Sequence, residues 1–431
     1  MNILTMKNMT SGKVLEALRR PVADTGLLED TVNEVFRTVR RDGDQALFNY
    51  TLKYDRAVLK SLKVTADEIR EAEKTTGDDL KKAIEIAAEN VETFHRSQLR
   101  EEKIIGTMPG VWCWERSVPI DRVGLYIPGG TAPLFSTVIM LAVPARVAGC
   151  REVVLCTPPR RDGTIHPAIL YTASAAGVTS IFKVGGIQAI AAMAYGTETF
   201  PRVDKIFGPG NQWVTAAKQM ASKDGIAIDL PAGPSEVMIV ADETAVPAFV
   251  AADMLSQAEH GEDSQSILVT TSSELSAAVM LELDRQSEKL QRIEIIRKSL
   301  ASSAIIVVDN LSEALELVNG YAPEHLILSV ADPAGLASGV RNAGSVFLGN
   351  YSPESAGDYA SGTNHTLPTS GFARGWSGLS VNSFMKRISF QNITPSGLLK
   401  LGPVVETMAL AEQLDAHAAA VRIRMDEINK S

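Results

Sequence analysis

From Arg122 to Ser329 the sequence alternates between short apolar runs of strand length and longer helix-like segments, with Gly/Pro turns between them. This alternation predicts parallel, doubly wound sheets, because each parallel crossover needs a connection of about helix length. Eight or more strands over this length fit two such sheets more easily than one. The runs predicted as strands are, in chain order, Val123–Ile127, Glu152–Cys156, Ser180–Val184, Lys205–Phe207, Val237–Val240, Ser266–Thr270, Ala304–Val308 and Leu326–Ser329.

Helical patterns flank this region on both sides. Apolar residues recur at i, i+3, i+4 and i+7 in Leu28–Tyr50, and Ala66–Leu99 continues in a charged, Ala-rich helical style. After about Arg374 the strand pattern fades, and we predict one final helix over Val404–Ile428. The predicted fold class is therefore α/β, with two doubly wound, Rossmann-like parallel-sheet domains, a helical N-terminal part and a C-terminal helical tail.

Charge and cysteine content exclude several classes of protein. A formal charge of −9 without a basic stripe argues against a nucleic-acid partner. No apolar stretch reaches the ~18–20 residues of a membrane span, and no secretory signal is visible in Met1–Val14. Cys113, Cys150 and Cys156, without CxxC spacing, form neither a disulfide framework nor a thiolate zinc site, and a buried, inert thiol is the preferred interpretation of Cys113 and Cys156. We expect a cytoplasmic protein with no membrane partner.

Four polar side chains could ligate a metal ion. Gln257 and His260 lie three residues apart near the end of a predicted helix, Val246–His260, and so project from one face. Asp358 lies in the Gly- and Asn-rich segment Gly357–His365, which either binds a ligand or simply turns, and His417 lies in the last helix near Glu412. Amide, imidazole and carboxylate donors suit a hard-to-borderline cation. Taken one by one, a polar helix end, a turn and a packed histidine explain these residues more simply.

The adjacent pair Glu324 and His325 stands at the entrance of a predicted strand. An acid beside an imidazole suits proton transfer, because histidine titrates near neutrality. A surface turn before the strand would explain the pair about as well.

Glycine-rich turns follow several predicted strands, although the G-x-G-x-x-G fingerprint is absent. In open α/β sheets, such strand–Gly–helix junctions are where ligands bind. Helix-packing turns would have the same sequence pattern. Ser235, in the Pro- and Gly-rich segment Asp229–Glu236, offers a hydroxyl to a ligand, but a structural turn explains that segment almost as well. The turns are Pro128-Gly129-Gly130, Gly185-Gly186-Ile187-Gln188 and Gly208-Pro209-Gly210-Asn211.

Longer motifs, in their order along the chain, resemble those of the histidinol dehydrogenase family. They span about Arg122 to His417, and no position that the family uses for chemistry is substituted. The matching segments are Arg122–Gly130, Gly208–Asn211, Pro231–Glu236, Ala251–Gly261, Tyr321–Leu326 and Gly357–Pro368.

The resemblance implies the site residues and their roles. Zinc, one ion per site, would be held by Gln257, His260, Asp358 and His417, although manganese or cobalt tolerates the same ligands. Glu324 would activate water and His325 would act as general base. Tyr126, Gln188 and Asn211 would contact NAD⁺, while Ser235, His325 and Glu412 would join the metal ligands around L-histidinol.

The resemblance also implies a homodimer in which the C-terminal segment crosses to the partner subunit's site. We expect four segments: residues 1–24, an α/β domain of 25–125 plus 238–378 with most metal and catalytic residues, an NAD-side α/β domain of 126–237, and a tail of 379–431.

The implied activity is the NAD-dependent four-electron oxidation of L-histidinol to L-histidine through L-histidinaldehyde, which ends histidine biosynthesis. Two rival hypotheses remain at this stage. A zinc-dependent hydrolase would use the same metal ligands, with Glu324 acting on a water. A non-catalytic binding protein would explain the fold but not an acid, a base and four candidate ligands together.

Overall fold

The computed structural model describes residues 2–5, 10–18, 20, 26–129, 132–230 and 233–430. Gly130, Pro231 and Ala232, which belong to predicted motifs, lie outside the described residues, as do residues 1, 6–9, 19 and 21–24 of the predicted segment 1–24. The strands are β1 (Asn2–Thr5), β2 (Ile105–Met108), β3 (Val111–Pro119), β4 (Arg122–Tyr126), β5 (Glu152–Cys156), β6 (Ser180–Phe182), β7 (Lys205–Phe207), β8 (Ala227–Ile228), β9 (Glu236–Ala241), β10 (Gln265–Thr270), β11 (Ala304–Val307), β12 (His325–Ser329), β13 (Ser345–Leu348) and β14 (Met385–Ile393).

Helices connect these strands and flank them. Two 3₁₀ turns, Phe372–Arg374 and Val381–Phe384, lie between the helix that ends at Tyr359 and strand β14. The helices are α1 (Ser11–Ala17), α2 (Gly26–Asp55), α3 (Ala66–Thr75), α4 (Asp78–Arg96), α5 (Phe135–Ala148), α6 (Pro167–Ala176), α7 (Gly186–Tyr195), α8 (Gln212–Lys223), α9 (Pro247–Ala258), α10 (Ser273–Ser287), α11 (Ile293–Ala301), α12 (Leu311–Tyr321), α13 (Pro333–Ala337), α14 (Glu354–Tyr359), α15 (Pro395–Ala411) and α16 (Asp415–Lys430).

Two parallel sheets confirm the predicted α/β class. The five-stranded sheet has the order β6-β5-β4-β7-β8, and the six-stranded sheet has the order β1-β11-β10-β9-β12-β13. In each sheet the chain builds outward from an inner strand, β4 or β9, and then returns to that strand's other side. The N-terminal strand β1 joins the six-stranded sheet beside β11. Each sheet therefore has a topological switch point, between β4 and β7 and between β9 and β12.

Apolar residues fill both faces of the sheets. In the six-stranded sheet, alternate residues of β9 and β10 pack on α9–α11 on one face and on α1 and α12 on the other. The helices α2, α7 and α8 pack together against the five-stranded sheet, and α5 also contacts its strands β4 and β5. Burial on both faces explains why these strands are continuous apolar runs rather than alternating ones. None of the helices in the described ranges has the length and apolar character that crossing a bilayer requires.

The chain divides into two compact units. One comprises residues 1–98 and 120–384 and contains both parallel sheets, and the other comprises 99–119 and 385–431. The second unit contains an antiparallel sheet of order β14-β3-β2 and the helix pair α15 and α16. The boundaries predicted for the domains of 25–125 plus 238–378 and of 126–237 stay a prediction.

Two sequence predictions for the second unit are wrong. The strand pattern does not end at Arg374, because β14 pairs with β3 along nine residues. Its side chains are mostly exposed, so the strand lacks an apolar run. The single final helix is two helices, because Gln413 adopts a left-handed conformation (φ 61°) between them.

Candidate active site

The predicted acid–imidazole pair lies at the amino end of β12. Helix α12 ends at Tyr321, and its C-cap residue Ala322 has a left-handed backbone (φ 56°). The chain then turns into the strand that begins with His325. Glu324 and His325 are buried, with 5% and 4% of their surface exposed. Glu324 Oε2 accepts a hydrogen bond of 2.9 Å from the N–H of Glu236, the first residue of β9. Adjacent parallel strands thus fix this carboxylate.

The carboxylate of Glu236 itself is neutralised by a separate network. Arg20 Nε and Nη2 donate to it at 2.5 and 2.8 Å, and the hydroxyl of Tyr321 donates to it at 3.1 Å. The Arg20 guanidinium also lies 3.8 Å from the centre of the Tyr321 ring. Glu236 is therefore held by Arg20, whereas within the described part of the chain the imidazole of His325 is the basic group that faces Glu324.

Three carboxylates surround the imidazole of His325. Its Nδ1 lies 3.7 Å from Glu324 Oε2 and 3.6 Å from Glu354 Oε1, and its Nε2 lies 3.4 Å from Asp358 Oδ1. Burial lowers the pKa of His325, but the charges of Glu354, Glu324 and Asp358 outweigh burial and raise it to about 10. Burial raises the pKa of Glu324 to about 8. The three carboxylates therefore favour the imidazolium form of His325, whereas Glu324 titrates close to neutrality.

Glu354 is a site residue that the sequence analysis missed. It is the first residue of α14 and is only 1% exposed. Burial raises its pKa to about 8, against the opposing charge of His325. Nothing in the sequence distinguishes it among 51 acidic residues, apart from a helix start after Pro353. Asp253 on α9 was also missed, and burial raises its pKa to about 7.

Gln257 is placed on the helix end as predicted, whereas His260 lies just beyond it. Helix α9 ends at Ala258 and not at His260, which corrects the predicted range Val246–His260. Gln257 is fully buried, and both polar atoms of its amide lack a hydrogen-bond partner among the described residues. A buried amide costs free energy unless something satisfies it. This orphaned group is the feature that most directly indicates a missing ligand.

The orientation of His260 supports a cation between it and Asp358. Its Nδ1 donates to the carbonyl of Ser256 at 2.9 Å, which leaves the Nε2 lone pair free. That Nε2 lies 3.9 Å from Asp358 Oδ2. Asp358 belongs to α14 rather than to a loop, which corrects the sequence prediction. Burial raises the pKa of Asp358, but the imidazoles of His325, His365 and His260 outweigh burial and hold it below its usual value.

Asp358 also belongs to a cluster of three side chains, with His325 and Glu354, whose donor atoms fit a divalent cation. Ligand atoms of His325, Glu354 and Asp358 lie within 4.8 Å of one another. Oδ1 of Asp358 and Oε2 of Glu354 also lack hydrogen-bond partners within the described part of the chain. Nitrogen and oxygen donors of this kind suit zinc, manganese or cobalt.

Two predicted site residues belong to the second unit. Glu412 is the C-cap residue directly after α15, and His417 lies in the first turn of α16. Both are exposed in the single chain. Their expected place beside Gln257, His260 and Asp358 stays a prediction. Ser235 lies in the first unit directly before β9, one residue from Glu236.

The three residues expected to contact NAD⁺ lie at the carboxyl edge of the five-stranded sheet. Tyr126 ends β4, and its hydroxyl oxygen accepts from the N–H of Gly186 at 3.1 Å. Gln188, 1% exposed, lies in the first turn of α7. Asn211 caps α8, accepting from the N–H groups of Trp213 and Val214 at 3.1 and 3.2 Å.

The glycine turns beside these residues leave no room for side chains. A Cβ on Gly129 or Gly185 would overlap Pro158, and one on Gly208 would overlap the carbonyl of Tyr126. The turns at Gly129 and Gly208 follow β4 and β7, at the switch point where ligands bind to doubly wound sheets. A backbone cradle of this kind fits a dinucleotide.

Cys150 and Cys156 are not among the residues of the acid–imidazole site or of the carboxyl edge of the five-stranded sheet. Cys113, on β3, is half-buried, which corrects the expectation of a buried thiol there. Cys156 is fully buried at the end of β5, and burial raises its pKa well above the usual value. Burial also raises the pKa of Cys150 to about 12. Neither thiol is a nucleophile at neutral pH, since the thiolate is the reactive form.

These features define a class: an α/β protein of two doubly wound sheets, with a buried acid–imidazole site competent to bind a metal ion. Comparison with known proteins narrows this class. The family described as histidinol dehydrogenase matches residues 18–425. The chain belongs to the histidinol dehydrogenase family.

Individual relatives match over nearly their whole length. The chain is 59% identical over 415 residues to a histidinol dehydrogenase of Bacteroides fragilis, covering 96% of this chain and 97% of the relative. It is 51% identical over 431 residues to one of Mannheimia succiniciproducens, covering 99% and 100%. The crystal structure of histidinol dehydrogenase from Elizabethkingia anophelis superimposes with a TM-score of 0.97 at 50% identity, covering 100% of this chain and 99% of that one.

Proposed function

We propose that the protein oxidises L-histidinol to L-histidine with NAD⁺ through L-histidinaldehyde, in the final steps of histidine biosynthesis. Membership of the histidinol dehydrogenase family supports the substrate and the reaction class. The observation that carries the chemistry is the buried pair of Glu324 and His325, which offers two proton-transfer groups at one point. Two successive oxidations at one carbon need such groups, because each step moves protons that the solvent cannot reach.

With a metal ion bound, the positive charge of the ion would offset the carboxylates that raise the pKa of His325. His325 would then take the proton of the substrate alcohol as the hydride leaves. Its two ring nitrogens face carboxylates on both sides, so the imidazolium that forms is stabilised where it stands. Glu324 then removes a proton from the water that adds to the aldehyde. Its hydrogen bond from the Glu236 N–H keeps the carboxylate oriented during both steps.

Gln257, His260 and Asp358, with His417, would hold one zinc ion. The donor chemistry of the first three and the orphaned amide of Gln257 support this assignment. A bound zinc ion supplies a template that orients the amine and imidazole nitrogens of histidinol.

Tyr126, Gln188 and Asn211 would bind NAD⁺ at the carboxyl edge of the five-stranded sheet. NAD⁺ supplies the hydride acceptor for both oxidations. Ser235 and Glu412 would complete the substrate site. The exposure of Glu412 and His417 in the single chain supports a homodimer in which the C-terminal segment enters the partner subunit's site.

An isotope experiment tests the proposal. L-Histidine formed from L-histidinol in H₂¹⁸O should carry ¹⁸O in its carboxylate, because the second carboxylate oxygen comes from the water added to the aldehyde. Consumption of histidinol without NADH would overturn the dehydrogenase assignment and favour the zinc-dependent hydrolase. Formation of aldehyde as the final product would overturn the second oxidation.

A further inference from the structure

A buried ion pair lies directly behind the turn that follows β7. Lys218 on α8 is 5% exposed, and its ammonium contacts Oδ1 of Asp229, whose side chain is 3% exposed. Lys218 Nζ also donates to the carbonyl of Gly208 at 2.9 Å. Asp229 Oδ2 accepts from the N–H of Gly208 at 2.7 Å. One ion pair therefore binds both polar backbone groups of a single glycine.

The glycine held in this way has a conformation that other residues rarely adopt. Its φ is +123°, and its Cα packs against the backbone of Tyr126 at the end of β4. The turn continues through Gly210 to Asn211, which caps α8. Gly208 thus begins the segment Gly208–Asn211 at the switch point of the five-stranded sheet, and we call this segment the Gly208 turn.

The partner carboxylate comes from a different part of the chain. Asp229 directly follows β8 and opens the segment that leads to Ser235 and β9. The ion pair therefore ties the Gly208 turn to the connection between the two parallel sheets.

Stability alone gives little reason for a buried ion pair at this point. Removing two charges from water costs about as much as their attraction returns, and apolar pairs of similar volume are often as stable. A charged pair does fix direction, because charge-assisted hydrogen bonds are short and oriented. The effect specific to this pair is the fixed position of Gly208.

We propose that Lys218 and Asp229 are positioning residues for the dinucleotide: they hold the Gly208 turn in the conformation that receives NAD⁺. This inference rests on the proposed function, which assigns NAD⁺ to this edge of the sheet. A preformed turn raises affinity because binding then does not have to order it.

The experiment measures equilibrium binding of NAD⁺ to purified protein without substrate, by calorimetry, together with the thermal midpoint. Lys218→Met should weaken NAD⁺ binding by about tenfold or more, since small displacements of a positioning group cost this much or more. The double variant K218M/D229N leaves no unpaired buried charge and keeps an oxygen for the Gly208 N–H. It should fold even where the single variant does not, and should weaken binding similarly.

Arg122→Met is the matched control. Arg122 makes a paired contact with Glu152 at 2.6 and 2.7 Å, at the amino ends of β4 and β5 in the same sheet. Its loss removes an ion pair from the opposite edge and should leave NAD⁺ affinity within about twofold.

The possible results test the positioning role and the proposed function separately. Wild-type protein that binds NAD⁺ while both Lys218 variants retain its affinity, even with a lowered thermal midpoint, would overturn the positioning role alone. Wild-type protein that does not bind NAD⁺ would overturn the proposed function and this inference with it. Equal weakening in the R122M control would also overturn the inference, because the effect would then be general.

Discussion

Replacing Gly208 with alanine tests the geometry of the dinucleotide edge. The added Cβ would overlap the carbonyl oxygen of Tyr126 and lie 3.0 Å from its carbonyl carbon. Both atoms belong to β4, whose backbone pairs with β5 and β7, so neither can move aside cheaply. The φ of +123° adds a conformational cost of its own.

Gly225 separates these two costs. It has a φ of +87°, and a Cβ there would meet nothing within 4 Å. Positive φ costs alanine about 1–2 kcal/mol, and the stiffer unfolded chain returns about 0.4–1 kcal/mol. We therefore expect Gly225→Ala to lower the free energy of unfolding by about 1 kcal/mol. Overlap with fixed backbone adds about 1–3 kcal/mol, so Gly208→Ala should lower it by about 2–4 kcal/mol.

Urea denaturation of both variants measures the difference in their free energies of unfolding. Calorimetry at a temperature where both are folded measures their affinities for NAD⁺. Gly208→Ala should weaken NAD⁺ binding at least about tenfold, while Gly225→Ala should not. A G208A variant no less stable than G225A would refute the reasoning, because the turn would then have room that the structure does not show.

Three further predictions concern the catalytic residues, the metal and pH. Glu324→Gln keeps an oxygen for the Glu236 N–H, so the first NADH should form while aldehyde oxidation slows by about 10²–10⁴-fold; a stopped-flow trace with equal loss in both steps would contradict the assignment. Gln257→Ala removes the orphaned amide and should lower zinc content after dialysis at least about tenfold without lowering the thermal midpoint of the metal-free protein; unchanged zinc by atomic absorption would exclude Gln257 as a ligand. Burial raises the pKa of Asp55 to about 6, so the folded state binds more protons than the unfolded state between about pH 4 and 6, and stability falls as the pH rises through that window. Asp55→Asn should therefore add about 1 kcal/mol near pH 8, after allowance for solvent screening, and nothing near pH 4; an equal gain at both values, in urea titrations, would refute the cause.

The parallel strands could be predicted because burial on both faces forces a continuous apolar run. Glu152–Cys156 and Lys205–Phe207 have the predicted bounds for this reason. The antiparallel strand β14 has mostly exposed side chains, and its pairing with β3 depends on residues more than 260 positions away, such as Ile393 with Val111. No local pattern contains that information.

The site residues also differ in whether the sequence alone could predict them. Gln257, His260, Glu324 and His325 could be proposed because acid, amide and imidazole groups cluster in short motifs. Glu354 could not, since its burial against His325 is a consequence of how α14 packs near the start of β12. The ion pair of Lys218 and Asp229 is hidden for the same reason, because its members lie on different elements. Tertiary structure brings together what sequence spacing leaves apart.

The most direct test of the account is the number of NADH molecules released per L-histidinol by purified protein with limiting substrate, before and after chelation. We expect two NADH per histidinol, with this release lost on chelation and restored by zinc. One NADH per histidinol would contradict the second oxidation and the role of Glu324 in it. No NADH would contradict the dehydrogenase assignment, and an undiminished rate after complete removal of metal would contradict the metal site of Gln257, His260 and Asp358.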